Sequence, residues 1–524
     1  MRRAVGIDLG TSNSAVAVID SDGRPRILTT ATGATTLPSV VWFSPDGPKI
    51  GDAALPGFDE SPDLTVFGAK RLLGRRFDHP EIRRLARILP YELIAAPNGD
   101  TWIALQSGRT VAPEEVSALI LTELRAMADR FFGEPVVDAI ITVPAWFDAA
   151  ARQATKDAAT IAGLNVRRLL SEPTAAALGY GAHRGEKRRY AVCDLGGGTF
   201  DVALVDVEDG IFEVLSTTGD AFLGGDDFDR MLVEHLARDV RRLRSYDISS
   251  DPTSVDRLRI AAQNAKHALS TLDQTTISVA NLAALPSGKA IDYERTLTKA
   301  ELESWTAPLL QRLIAPCQEA LQRASRRRDQ VDQVLMVGGM SRMGAVHATL
   351  ADVFGQTPTP VPNPDEVVAV GAALEIARLE GIIDGVLMID VCARGIAVSI
   401  ANGPCEPVIA MNSVLPTREY RALLTHVDEQ TRIEFDLWEG EAVEPALNRL
   451  LGRYATPELP RAAAGDVLVV LEVTIDSDGT IRLAASELIS GERLMVEQLL
   501  HSGLARSEVA RLARSFNEGR EILR

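Results

Sequence analysis

Two glycine-rich turns, each preceded by an aspartate, are the features of this chain best suited to chemistry. Residues 6–18 and residues 192–204 each contain an apolar run, an Asp, a Gly-rich turn and a second apolar run. This order predicts a β-hairpin with Asp8 or Asp194 at the end of its first strand. Glycines let backbone N–H groups approach phosphate oxygens closely, and two carboxylates suit a hydrated Mg²⁺ ion. The repeat therefore predicts a duplicated domain whose two lobes clamp a nucleoside triphosphate.

Composition excludes several other classes of protein. Of the 524 residues, 46% are hydrophobic and 24% are charged, which is typical of a globular protein rather than a disordered one. No apolar run approaches the length of a membrane span, and the net charge of −17 argues against a general nucleic-acid surface. The N-terminus runs into a strand without a secretory apolar region, and the four cysteines are widely scattered. We therefore expect a cytoplasmic monomer with free thiols.

The elements that must position the two turns alternate between strand and helix over about the first 380 residues. Residues 138–144 read as a buried strand, residues 149–162 as an Ala-rich helix and residues 166–170 as a second strand. Another helix is predicted to open near Glu172, where Pro173 suits a first helical turn. After about residue 390 the segments become short and alternating, with a hairpin-turn signal at Asp478-Gly479. The tail after residue 502 has the apolar spacing of an amphipathic helix.

Several motifs in the same order resemble those of the DnaK-like heat-shock chaperones, the heat shock protein 70 family. They are Lys70 within residues 67–77, Ile-Thr-Val-Pro-Ala-Trp-Phe at 141–147, residues 152–158 and Ser-Glu-Pro-Thr-Ala-Ala-Ala at 171–177. The resemblance implies an α/β actin-like ATPase with duplicated ribonuclease-H-like lobes at residues 1–383. A linker at 384–390 and a β-sandwich substrate-binding domain at 391–500 would follow. Residues 501–524 would form a C-terminal helix, and we expect the family's helical lid to be absent.

The resemblance also implies roles in the cleft, with ATP and Mg²⁺ as cofactors. Asp8 and Asp194 match the pair that holds the waters of Mg²⁺. Lys70 matches a lysine that contacts the γ-phosphate and the attacking water, which Glu172 and Thr199 help to place. The expected phosphate loops comprise Gly10, Thr11, Ser12 and Asn13 in the first hairpin, and Gly196, Gly197 and Gly198 in the second.

Other residues match the nucleoside contacts and the interdomain switch of the family. Pro144 and Arg152 correspond to a relay from the nucleotide to the linker, where Leu387 and Met388 lie. Lys266 and Ser270 are four residues apart, which would place both on one helix face. Gln263 stands where the family usually has a ribose-binding Glu, and an amide there loses charge assistance. The residues that resemble the adenosine motif are Gly338, Gly339, Ser341 and Arg342, and Asp365 matches another family position near the cleft.

The β domain departs further from the family pattern. Ala401 stands where a large residue usually arches over the peptide, and Leu424 replaces a typical Phe. Ile433 and Phe435 occur on one face of a predicted strand, where family members line the peptide pocket. The same two residues could instead fill the core of the sandwich, and the sequence leaves both readings open.

These observations support two hypotheses about function. The first is an ATP-dependent chaperone that binds extended apolar peptides, with a J-domain co-chaperone and a nucleotide-exchange factor as implied partners. The second is a nucleotide-dependent interaction module whose β domain binds one dedicated partner. A sugar or glycerol kinase on the same actin-like core would not account for Pro144, Arg152, the linker or the β domain.

Overall fold

A computed structural model describes most of the chain. The described residues are 3–106, 108–181, 187–249, 251–284, 289–383, 385–400, 403–488, 492–494, 497–501 and 503–518. Among them, no helix has both the length and the apolar character needed to cross a bilayer. All four cysteines are buried and unpaired.

Lobe I (residues 3–181) is built on a six-stranded sheet with two small sheets beside it. The main sheet has the order β12-β11-β1-β2-β3, with β4 paired to β2; β1 is parallel to β11 and antiparallel to β2. The strands are β1 (Ala4–Asp8), β2 (Asn13–Ile19), β3 (Pro25–Ile27), β4 (Leu37–Pro38), β5 (Val40–Ser44), β6 (Gly47–Ile50), β7 (Thr65–Phe67), β8 (Glu92–Ala95), β9 (Thr101–Ala104), β10 (Thr110–Val111), β11 (Asp138–Val143) and β12 (Asn165–Ser171). The helices are α1 (Gly57–Glu60), α2 (Pro80–Leu85), α3 (Pro113–Phe132), α4 (Ala149–Ile161) and α5 (Glu172–Tyr180).

Lobe II (residues 187–361) contains a sheet with the order β19-β18-β13-β14-β15. Its strands are β13 (Arg188–Leu195), β14 (Phe200–Glu208), β15 (Ile211–Asp220), β16 (Gln274–Ala284), β17 (Ala290–Thr298), β18 (Gln333–Val337) and β19 (Thr359–Pro360). The helices of lobe II are α6 (Gly225–Arg244), α7 (Pro252–Ala268), α8 (Lys299–Arg312), α9 (Ile314–Arg323) and α10 (Gly344–Phe354). Helix α11 (Val367–Leu379) follows lobe II in the chain. Strand β13 is antiparallel to β14 and parallel to β18, so the two main sheets repeat one topology.

Helices α5 and α11 lie between the two sheets and hold them together. A Cβ atom at Gly371 of α11 would lie 1.9 Å from the carbonyl oxygen of Ala175 in α5, so the close crossing requires glycine at residue 371. One hydrophobic cluster contains residues of both sheets and both helices, including Ile140, Val192 and Leu374. This packing fixes where the two Asp hairpins face each other.

The β domain begins after a short strand that belongs to the ATPase sheet. Strand β20 (Leu387–Ile389) pairs in parallel with β15 at the edge of lobe II. The following strands form two sheets, β22-β21-β24-β25-β29 and β23-β26-β27-β28, around one core. They are β21 (Ile396–Ile400), β22 (Glu406–Ile409), β23 (Thr417–Leu424), β24 (Glu434–Glu439), β25 (Arg449–Ala455), β26 (Leu468–Ile475), β27 (Ile481–Glu487), β28 (Arg493–Leu494) and β29 (Glu497–His501).

Helix α12 (Arg506–Glu518) lies on lobe I rather than on the sandwich. Val509 and Leu512 of its apolar stripe are buried in the lobe I core, and Phe516 packs against the same core. Since the neighbouring helix α4 supplies small residues such as Ala151 and Ala158 to this core, the two helices can approach closely.

Candidate active site

A cavity of about 440 Å³ lies between the two lobes, where the hairpin turns after β1 and β13 face each other. This volume lies within the usual range for small-molecule sites. Most residues predicted for the cleft line it, from both lobes. They are Asp8, Gly10, Thr11, Ser12, Asn13, Lys70, Glu172, Asp194, Gly196, Gly197, Thr199, Gln263, Lys266, Ser270, Gly338, Gly339, Arg342 and Asp365.

Two predicted residues lie behind the wall of this cavity. The Gly198 carbonyl accepts hydrogen bonds from the Arg71 guanidinium. Ser341 is buried, and its carbonyl oxygen lies 2.7 Å from the ring Nε2 of His347. The structure therefore assigns both residues contacts that support the loops rather than contacts with the cavity.

The two turns contact each other so tightly that residue type is restricted. A Cβ atom on Gly197 would lie 1.9 Å from the Ser12 hydroxyl oxygen, whereas a Cβ on Gly196 would meet nothing within 4 Å. Ser12 donates a hydrogen bond across the cleft to Asp226 at 3.2 Å. The backbone of the second turn is thus exposed to a ligand and braced by the first turn, as a phosphate-binding loop requires.

Lys70 and Glu172 form a buried ion pair at the centre of the cavity. Their Nζ and Oε1 atoms are 2.5 Å apart, although the two residues are 102 positions apart in sequence. Lys70 lies in a short 3₁₀ helix at Ala69–Arg71, and Glu172 is the first residue of α5, directly after the end of β12. Two structural elements therefore place opposite charges beside the ends of β1 and β13.

Four carboxylates surround this single lysine and repel one another. Burial, followed by the charge of Glu172, raises the pKa of Asp8 to about 7 and that of Asp201 to about 8. The same causes raise the pKa of Asp194 well above its ordinary value. Lys70 opposes all three shifts without abolishing them. Such a surplus of buried negative charge favours a bound cation.

The pair Asp8 and Asp194 fits a hydrated Mg²⁺ ion. In the part of the chain that the structure describes, no cluster of three His, Cys, Asp or Glu side chains is arranged to bind a metal directly. Mg²⁺ keeps several of its waters and uses few carboxylates, with phosphate oxygens completing its shell. The arrangement of Asp8 and Asp194 beside an open glycine turn agrees with that preference.

Asp201 and Arg71 are functional candidates that the sequence analysis missed. Asp201 is fully buried and accepts a hydrogen bond from the Ala145 backbone N–H at 2.7 Å. Arg71 bonds the Gly198 carbonyl and the Asp227 carboxylate, so it connects lobe I to the second turn. The sequence could have pointed to both residues, because Asp201 falls within the second Asp–Gly motif and Arg71 follows Lys70.

Other lining residues of the cavity form two further ion pairs. Lys266 donates to the Gly225 carbonyl at 3.0 Å and pairs with Asp229 at 2.8 Å. Arg342 forms a two-pronged ion pair with Asp365 at the mouth. Helix α7 ends at Ala268, so Ser270 lies in the following turn rather than on the predicted helix. Its hydroxyl still donates to the Lys266 carbonyl at 3.4 Å, and both residues line the same cavity. The lining here also includes His267, Met340 and Met343, which the sequence analysis did not single out.

A chain of hydrogen bonds leads from the cleft to the β domain. Strand β11 ends before Pro144, and the next residue, Ala145, donates its N–H to Asp201. The Ala145 carbonyl accepts from Arg152 Nη2 at 3.2 Å, and Arg152 Nε donates to the Phe147 carbonyl at 3.0 Å. The third arm of the guanidinium, Nη1, donates to the Asp478 carbonyl at 3.2 Å. Arg152 therefore contacts both domains.

The interface around Arg152 contains further polar contacts. Lys156 of α4 pairs with the Asp478 carboxylate at 2.8 Å and donates to Thr480 at 2.7 Å. Arg449 of β25 forms an ion pair with Asp148, which also pairs with Arg75 of lobe I. The hairpin turn predicted at Asp478-Gly479 is thus a principal contact of the β domain with lobe I.

Linker residues Leu387 and Met388 have different environments. Met388 is only 8% exposed and belongs to the hydrophobic cluster between the lobes, whereas Leu387 is 49% exposed. Because successive strand residues point to opposite faces, one linker side chain anchors β20 and the other faces solvent.

The described residues that were predicted to line a peptide pocket differ in their exposure. Ile433 and Phe435 are fully buried in the sandwich core, and Phe435 stacks on Tyr454 with ring centroids 5.6 Å apart. Leu424, at the end of β23, is 46% exposed, and Ala401 lies outside the described residues. The core placement is the alternative that the sequence had left open for Ile433 and Phe435, and their peptide-binding role stays a prediction.

Two lobes with one repeated topology, a glycine-lined cavity between them and a buried Lys–Glu pair define a nucleotide-binding ATPase of the two-lobed class. A model of the family described as Hsp70 protein matches residues 4–521. The chain therefore belongs to the Hsp70 family. Members of this family bind and hydrolyse ATP with Mg²⁺, act as ATP-dependent chaperones and bind peptide substrates and co-chaperones.

Proposed function

We propose that this chain couples ATP binding and slow hydrolysis to the binding and release of extended apolar peptide segments. The observation that carries the proposal is the path of contacts from Asp201 through Ala145 and Arg152 to Asp478. Asp201 lies at the cleft end of that path and Asp478 lies in the β domain. A change of charge in the cleft therefore has a direct mechanical route to the other domain.

Positioning and charge neutralisation are sufficient for the phosphoryl transfer that we propose. Lys70 would neutralise the γ-phosphate, while Glu172 and Thr199 orient the attacking water. Asp8 and Asp194 would hold the waters of Mg²⁺, which when bound supplies positive charge to the phosphates. The Gly10–Asn13 and Gly196–Gly197 turns offer their backbone N–H groups to the same oxygens. Lys70 is paired to Glu172 in the wall of the cavity, which holds its ammonium group in position for this role.

The linker supplies the second half of the proposed coupling. Strand β20 extends the lobe II sheet beside β15, and β15 follows β14, whose first residues adjoin the second phosphate turn. Movement between the lobes would therefore alter the edge on which Leu387–Ile389 pairs. Separation of the β domain would require release of β20 and also loss of the contacts that Asp148, Lys156 and Arg152 make with it.

The burial of Ile433 and Phe435 favours a second candidate function. If these side chains only fill the core, the β domain lacks the apolar pocket predicted on that strand, and a dedicated partner would bind elsewhere on its surface. The nucleotide cycle would then act as a timer for one interaction. Binding to an array of Leu-rich peptides distinguishes the two functions, because only the general chaperone binds many members of the array.

Single-turnover ATP hydrolysis by the full chain, with and without a peptide library, tests the leading proposal. We expect measurable hydrolysis that peptide accelerates, with further acceleration by a J-domain co-chaperone and faster product release with a nucleotide-exchange factor. Hydrolysis that no peptide alters, together with an empty peptide array, would refute peptide coupling and leave the dedicated-partner function. Failure to bind ATP would refute both.

A further inference from the structure

A small polar cavity, here called the C-terminal cavity, lies beneath the segment that leads into α12. Its volume of about 10 Å³ matches the space that one water molecule needs. Lobe I provides one wall and the C-terminal segment closes the other. The polar residues and the covering residues are Arg75, Asp100, Thr101, Glu114, Gly503 and Leu504.

Three residues that line this cavity each carry a buried polar atom without a hydrogen-bond partner among the described residues. These atoms are Arg75 Nη2, Asp100 Oδ1 and Thr101 Oγ1. Asp100 and Thr101 are each more than nine-tenths buried. An unpaired buried polar group is costly, and a water needs two to four polar partners to stay in a protein interior. One water could accept from Arg75, donate to Asp100 and bond the Thr101 hydroxyl.

The cavity is closed by direct contacts between Asp100 and the C-terminal segment. The backbone N–H of Gly503 donates to Asp100 Oδ2 at 2.6 Å, and the Asn98 amide donates to the Gly503 carbonyl at 3.1 Å. Asp100 therefore uses one carboxylate oxygen to hold the segment, while the other oxygen is one of the three atoms named above. Farther along, Val509 and Leu512 dock into the lobe I core.

Glu114 is the titratable group of this cavity. It lies in the first turn of α3, is buried, and forms no ion pair with any described residue. Asp157 of α4, Asp100 and Glu115 face it with negative charge. Burial chiefly, and these acids in addition, raise the pKa of Glu114 to about 8.

The cations near these acids are committed to other partners. Arg75 bonds Asp148 at 2.5 Å. Arg109 pairs with Glu115, which also feels the charge of Arg511 from α12, and Arg506 of α12 acts on Asp157. Positive charge at the cavity is therefore directed to the surrounding acids, and Glu114 is left to be neutralised by a proton.

We propose that docking of residues 503–518 on lobe I traps one water molecule in the C-terminal cavity and takes up one proton at Glu114. When the segment leaves, the Glu114 carboxyl meets solvent and ionises near the ordinary Glu pKa of about 4.3. Between that value and about 8 the docked state binds more protons than the undocked state. Docking therefore weakens as pH rises through this window and becomes independent of pH above it.

Hydrogen exchange of the α12 amides in the full, nucleotide-free chain measures this docking. A free helix of this length is marginal in water, so its amides exchange when the segment undocks. After correction for intrinsic exchange, we expect protection to fall about 25-fold from pH 6.5 to 8.5, given a Glu114 pKa of about 8. This range lies above the pKa of about 6 for Asp157. Burial also raises the pKa of Glu115, which the charge of Arg511 opposes.

Matched variants test proton uptake at Glu114 and the trapped water independently. Glu114→Gln keeps the shape of the side chain and should remove the pH dependence, whereas Glu123→Gln, farther along the same helix, should keep it. Thr101→Val should lower protection about fivefold at every pH through loss of a water partner, with the slope unchanged. A pH-independent wild-type chain, or an unchanged slope in Glu114→Gln, would overturn proton uptake. Thr101→Val with wild-type protection would overturn the trapped water. If Glu114→Gln does not fold, the wild-type titration decides the question of the proton.

Discussion

The nucleotide cleft and the sandwich core differ in how well the sequence predicts where their residues lie. In the cleft, residues far apart in the chain, such as Lys70 and Glu172, come within 2.5 Å of each other. In the β domain, Ile433 and Phe435 lie in the core, while Leu424 is exposed. A buried charge needs a partner and so points to a site, whereas an apolar residue on a strand fits a core or a pocket equally well. A site built from charged residues is therefore easier to predict from sequence than an apolar binding surface.

Removal of Lys70 from the cleft should produce the largest effect, a loss of ATP turnover. Lys70→Ala leaves Asp8, Glu172 and Asp194 without their cation in a buried site. We expect ATP turnover to fall about 100- to 1,000-fold, as for loss of a transition-state contact, while ATP binding stays largely intact. Single-turnover hydrolysis and nucleotide titration measure the two quantities separately.

Lys187→Ala is the matched control, because this lysine is exposed and pairs with Glu208 at the lobe II surface. It should hydrolyse ATP at the wild-type rate. Normal turnover in Lys70→Ala would show that the buried ion pair is structural and has no part in phosphoryl transfer.

Phe435→Ala tests whether Phe435 fills the core of the β domain or lines a peptide pocket. Phe435 is 1% exposed and stacks on Tyr454, so truncation should destabilise the sandwich by about 3–5 kcal/mol. Hydrogen exchange of the β24 amides in the full chain reports this loss locally. Leu424→Ala, at an exposed position, should change stability by less than about 0.5 kcal/mol. If Phe435→Ala leaves β24 as stable as in the wild type but abolishes peptide binding, the residue lines a pocket.

The sequence predicted those parts of the fold that depend on local patterns. Strand β11 and helix α4 lie within one residue of their predicted ends because Pro144 and Gly163 mark them, and the Asp478-Gly479 turn has the expected hairpin form. The contacts across long separations were not predictable in this way. The pairing of Arg449 with Asp148, and the place of α12 on lobe I, depend on which surfaces meet after folding. Ser270 lies two residues beyond the end of α7, although its spacing from Lys266 had placed it on that helix.

The linker contains a buried and an exposed residue side by side, so the same substitution can be compared at both positions. Met388→Asp would bury a carboxylate without a partner and should weaken β20 docking by about 1–3 kcal/mol, roughly 5- to 150-fold. Peptide stimulation of the ATPase should then be lost. Leu387→Asp places the same charge on the exposed face and should keep most of the stimulation. Equal effects of the two variants would mean that the linker contributes its backbone pairing alone.

Gln263→Glu should give the smallest effect, a modest gain in affinity for ATP. Gln263 lines the cavity, and the resemblance places a ribose-binding carboxylate at this position. A charged acceptor gains about 1 kcal/mol over an amide in a hydrogen bond to a hydroxyl, so ATP should bind roughly fivefold more tightly. Asn264→Asp adds the same charge at the next, exposed residue and should leave the dissociation constant unchanged. Equal affinity of Gln263→Glu and wild type would mean that this side chain does not contact the ribose. Equal tightening by both variants would instead assign the gain to the net charge of the cleft.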